Sequence, residues 1–173
     1  MPTRTDLPEL ADLLPSSDVV DVKTASGPVT LREFVAGALG NESVVSRALF
    51  ALRVPVAKVL RLEMDGMPAK TKLRPEDVTF TPGEPLSFFT VDRGEEEHYL
   101  LLKIVDNHMV AYLAIIVDDS GPAREFKLVT LVRYLRPAGR LYFGLIRPFH
   151  HVIVYFMGRS GARYSRPPNS VIG

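Results

Sequence analysis

The sequence predicts an α+β fold: a curved antiparallel sheet wrapped around a long C-terminal helix, with two further helices after the first strand. Three observations lead there. Residues 139–157, GRLYFGLIRPFHHVIVYFM, form an apolar run whose strongly polar members after Leu141 are Arg147, His150 and His151. It falls short of the about 20 predominantly apolar residues of a membrane span. A helix apolar on nearly every side must instead be wrapped by other elements. Residues 86–135 supply them, as apolar strand-like runs separated by turn residues. Two helix signatures precede these runs.

Residues 1–17 read as an extended, proline-punctuated lead-in, followed by a valine-rich strand over 18–25 that Ser26-Gly27-Pro28 ends. Thr30-Leu31-Arg32-Glu33 matches a capping box, in which the Thr and Glu side chains each satisfy an amide the helix leaves orphaned. That helix should end near Leu39, with Gly40 just beyond it. A second helix should start near Ser43, because Val45, Leu49, Leu52, Val56 and Val59 recur at helical spacing. Pro55 should kink or break it.

Residues 63–74 form a loop around the Asp65-Gly66 turn signal. Strands are expected at 78–81, 86–93, 99–105, 109–117 and 125–135, with Phe88 and Phe89 on opposite faces of the second. Asp106-Asn107-His108 joins the two most apolar strands as a hairpin, and the acidic stretch Glu95-Glu96-Glu97 reads as a solvated turn. Pro148 should kink the terminal helix near Gly144. The organisation expected is a lead-in over 1–17, one domain over 18–157, and a basic, flexible tail over 158–173.

At 173 residues with 46% apolar and 24% charged residues, the chain fits one globular domain. The absence of cysteine excludes disulfides, thiolate ligands and thiol nucleophiles. The first residues lack the basic and apolar segments of a secretory signal, so a cytoplasmic protein is expected. Net charge is +1 but unevenly spread: after Glu125 the chain carries eight bases and no acid. Such asymmetry can mark contact with an anionic surface. The arginines are not interleaved with aromatics in a nucleic-acid motif, and no nucleic-acid partner is expected.

Gly139-Arg140-Leu141-Tyr142-Phe143 followed by Arg147-Pro148-Phe149-His150-His151 is similar to the C-terminal "GrlYf…PFHr" signature of a bacterial family, domain-of-unknown-function family 2867. RALFALR at 47–53, His98 before the Tyr99 strand, and Thr130-Leu131-Val132-Arg133 add to the resemblance, which covers residues 18 to about 157. The element order also resembles the helix-grip fold of the START-like superfamily. The strand after His98 departs from the family's polar–apolar alternation, since Leu100 and Leu102 make it apolar throughout.

No catalytic constellation emerges. The chain lacks a phosphate-binding glycine motif, an H-E-x-x-H pair and a Gly-x-Ser-x-Gly turn. Neither catalytic nor metal-ligating residues are assigned, and no cofactor is expected. What the fold offers is a space between curved sheet and helix, the usual place for a small apolar ligand. Tyr99, Tyr112, Tyr134, Tyr142 and His150 could each bring a polar tip to it. Arg53 and Arg133 could hold an anionic head group. The leading expectation is a binder of a small hydrophobic or amphipathic molecule. An enzyme using His150 with a tyrosine is the alternative, and association of the basic C-terminal third with a membrane surface or partner is the third reading.

Overall fold

A computed structural model describes residues 7–40 and 73–165. Six strands form one antiparallel sheet in the order β1-β6-β5-β4-β3-β2. They are β1 (Val19–Ser26), β2 (Pro85–Leu86), β3 (Phe89–Glu95), β4 (Tyr99–Val105), β5 (Met109–Asp118) and β6 (Glu125–Tyr134). The sheet curves over a C-terminal helix, α2 (Pro137–Ala162), and α1 (Leu31–Leu39) packs beside that helix. This is the arrangement expected of a helix grip. The expected second helix over 43–59 lies outside the described residues.

Local chemistry sets each boundary. Thr30 Oγ1 accepts from the Glu33 amide at 3.2 Å while Glu33 Oε2 accepts from the Thr30 amide at 2.9 Å, so the capping box forms. The helix it opens buries Leu31, Phe34 and Val35 completely, and the Phe34 ring stacks on Phe126 of β6 at 4.1 Å. The Glu95–Glu97 turn is a clasp and not merely a solvated loop. Glu97 accepts from the Leu31 amide at the start of α1 and pairs with Arg124 at 2.7 Å, and Glu96 pairs with Arg32. A carboxylate at a helix N-terminus also meets the positive end of its dipole.

Three sequence expectations are corrected. Residues 86–93 are not one strand: the chain reverses at Ser87-Phe88, with Ser87 in the left-handed region at φ 57° and Leu86 paired with Phe89. A two-residue hairpin turn with positive φ at its first central residue suits the strand twist. The two phenyl rings then lie side by side at 4.5 Å. Residues 78–81 form no strand, and a 3-10 turn at Pro75–Asp77 leads into them. The lead-in is not extended either. Two 3-10 turns, Pro8–Leu10 and Leu14–Ser16, drive Leu7, Leu10 and Leu14 onto the sheet face away from α2.

The terminal helix runs on through Pro148 to Ala162, five residues past its expected end. Gly158 and Gly161 read as breakers in the sequence, but they are packing sites. A Cβ on Gly161 would lie 2.7 Å from the Phe34 carbonyl oxygen, and one on Gly37 the same distance from that of Ser160. Only glycine lets the two helix backbones approach so closely.

Candidate functional site

Antiparallel pairing puts directly opposed residues on the same face. Val129 and Leu131 of β6 therefore join Leu101, Ala114 and Ile116 on the lead-in face, where they pack with Leu7, Leu10 and Leu14. Phe126, Leu128, Thr130 and Val132 look the other way, towards the helices. On α2 the residues Tyr142, Phe143, Ile146, His150, Ile153, Val154 and Met157 recur at spacings of one helix face and meet the sheet there.

The two layers do not fill the space between them. A cavity of about 190 Å³ remains, bounded by β5 and β6 below, α2 above, and Phe88, Phe89 and the end of α1 at the sides. Small side chains account for it. Ala111 and Thr130 lie on its floor and Ala38 on its wall, where larger neighbours would meet the helix. Leu100 and Leu102 are fully buried in the cluster around α1 and do not themselves line the cavity.

Two polar groups face this largely apolar space, and one of them is buried without a partner. Thr130 is 4% exposed, and its hydroxyl has no hydrogen-bond partner. A buried hydroxyl without a partner is costly and uncommon. Neither ring nitrogen of His150 has a partner among the described residues. Its ring lies against Phe143 at 5.6 Å, and burial pushes its pKa down to about 4. Asp21 acts against that shift, while His151 and Lys23 add to it. At neutral pH His150 is therefore uncharged and offers one donor and one acceptor.

Beside the cavity, on the same sheet face, β1 carries an ion-paired cluster. Lys23 Nζ donates to both Asp21 oxygens at 2.8 Å, and His151 Nδ1 lies 3.4 Å from Asp21 Oδ2. Asp21 stands opposite Thr130 in the register. Sequence reading passed over Asp21, Lys23 and Thr130. The strict alternation Val20-Asp21-Val22-Lys23 on an edge strand carried the signal, as did a lone hydroxyl in the apolar run of β6.

The seven sequence-proposed residues divide. Tyr142 and His150 both line the cavity. Tyr112 borders it, yet its ring belongs to the cluster on the opposite face, opposed by Leu131. Tyr99 packs on that opposite face too. Tyr134 stands next to the lining, with its ring 6.4 Å from Phe143 and the Arg140 guanidinium over it at 5.8 Å. Arg133 is exposed on β6, and Arg53 lies outside the described residues. Among the described residues no lysine or arginine lines the cavity. No group of three or more His, Asp or Glu side chains is placed to hold a metal ion among them either.

Residues 13–157 match the family described as "Protein of unknown function (DUF2867)", a span that takes in the sheet, α1 and the cavity-lining length of α2. The chain belongs to this family. No curated protein matches the sequence significantly. The family's match ends at Met157, a cavity-lining residue, whereas α2 continues five residues beyond it.

Proposed function

We infer that this family member binds a small, neutral, amphipathic molecule in the cavity between sheet and C-terminal helix. The observation that carries this reading is the unpartnered Thr130 hydroxyl facing a largely apolar space of about 190 Å³. Apolar voids of about 150 Å³ admit benzene, whereas drug-sized ligands take about 300–1,000 Å³. The volume therefore suits one substituted ring or a short acyl chain. Among the described residues no cation lines the cavity, which disfavours a carboxylate or phosphate head group desolvated without a counter-charge. A hydroxyl, carbonyl or amide on the ligand would complete Thr130 and neutral His150.

An enzyme using His150 with Tyr142 is the second reading, favoured by their shared position on the lining. A histidine held near pKa 4 is a poor general base at neutral pH, where efficient bases titrate near the working pH. Binding ranks first for that reason. Native mass spectrometry of protein purified without detergent, before and after organic extraction, tests it. A small extra mass that extraction removes, and that Ala111→Leu protein lacks, is the expected result. Equal retention of that mass by Ala111→Leu protein would place the ligand elsewhere and end this reading.

A further inference from the structure

Helix α2 has a second face, away from the sheet. Leu141, Leu145, Phe149, Val152, Tyr155 and Phe156 are each between 43% and 56% exposed. Their spacing puts them in one stripe that runs for roughly 22 Å along the helix. Single exposed apolar residues are ordinary on a protein surface, but a contiguous line of six large ones marks an interaction site.

The charge around the stripe says what it fits. Exposed Arg140 and Arg147 flank it and Arg159 sits at its C-terminal end, with Arg136 and Arg163 just outside the helix. Among the described residues none of these five has a carboxylate partner. Arg159 instead covers the Tyr155 ring and donates to its hydroxyl at 3.2 Å. Six bases elsewhere in the described residues are neutralised in place. Lys23, Arg32, Arg93, Lys103, Arg124 and Lys127 each sit against an Asp or Glu. The chain has no acid after Glu125, so α2 and the residues that cap it carry only bases as charged side chains. A second copy docked face to face would bring arginine against arginine.

We propose that the outer face of α2 seats the protein on an anionic lipid surface. The stripe enters the headgroup boundary and the arginines meet lipid phosphates, as in helices that lie in the membrane plane. No helix among the described residues is long and apolar enough to cross a membrane, so the association is peripheral. The proposal is independent of the cavity, which opens on the other side of the same helix.

Co-sedimentation of the full chain with vesicles tests it. Phosphatidylcholine mixed equally with phosphatidylglycerol should retain the protein at low salt and release it as salt rises. Pure phosphatidylcholine should not retain it. Arg140→Gln and Arg147→Gln should each weaken partitioning by about fivefold. Phe149→Ser should weaken it by about tenfold through lost apolar burial, with unchanged thermal unfolding because the site is exposed. Lys103→Gln, at a base paired with Asp92 on the opposite sheet face, should leave binding intact. Failure to bind mixed vesicles at low salt would overturn the proposal. So would binding indifferent to the α2 substitutions, or a dimer in sedimentation velocity that Phe149→Ser dissolves.

Discussion

The sheet presents two apolar faces that are closed in different ways. On one, Leu7, Leu10 and Leu14 from the N-terminal turns press into Leu101, Ala114, Ile116, Val129 and Leu131, and the layer is solid. On the other, α2 spans β5 and β6 above small side chains and leaves a cavity with an unsatisfied hydroxyl, that of Thr130. Both covers come from segments at opposite ends of the chain. The less adaptable cover is the one that fails to close: short turns can follow the sheet's contour, whereas a 26-residue helix touches a curved surface only in places. Close packing stabilises the first face. The second has given up some of that stability.

The largest expected effect lies on the closed face. Leu131→Ala should cost about 4 kcal/mol in urea unfolding, since the residue is fully buried and its neighbours leave little room to collapse. A cost below about 1 kcal/mol would mean that this face is not solid. Next comes acid sensitivity from the open face. His150 folds with its pKa below the ordinary 6.5, at about 4, so between those values the unfolded chain takes up a proton that the folded chain refuses. Stability from this group is complete above about pH 6.5 and falls by about 2–3 kcal/mol as pH drops towards 4. Denaturation midpoints across that range should show the slope, and His150→Leu should flatten it.

Two alanines on β5 sharpen the contrast further. Ala114 is fully buried on the closed face, while Ala111 lines the cavity on the open one. Ala114→Leu should destabilise by about 2 kcal/mol through overpacking, and Ala111→Leu by no more than about 0.5 kcal/mol. Equal costs would remove the distinction between the faces. The smallest effect is at Thr130. Thr130→Val keeps the shape and removes an unpartnered hydroxyl, so calorimetry should find it neutral or more stable by up to about 1 kcal/mol.

Much of this frame was legible from residues alone. β4 begins and ends where the sequence placed it, and β5 and β6 match to within a residue, because apolar runs bounded by Asp-rich turns leave little choice. Asp106 shows why: its carboxylate accepts from the amides of His108 and Met109 at 2.7 and 2.9 Å and forms the turn its residue type favours. The Thr30 capping box was equally readable. The role of the lead-in was not, since prolines mask the helix-like spacing of Leu7, Leu10 and Leu14. Nor was the end of α2, where glycines that resemble stop signals serve a close helix crossing. The cavity needed register. Whether Thr130, Tyr99 or Tyr112 faces the helix depends on a one-residue phase that composition does not carry. The surface proposal lay nearer the sequence, in the acid-free run after Glu125, but the stripe emerged only once the inner face of α2 was known.

Calorimetric unfolding with rising concentrations of p-cresol, a ring of the right size with one hydroxyl, tests the central claim most directly. A ligand bound only by the folded state raises the melting temperature with concentration. The unsubstituted protein should show that rise, Thr130→Val protein a weaker one, and Ala111→Leu protein none. An identical response in all three, or no response in the unsubstituted chain, would contradict a ligand cavity beneath α2.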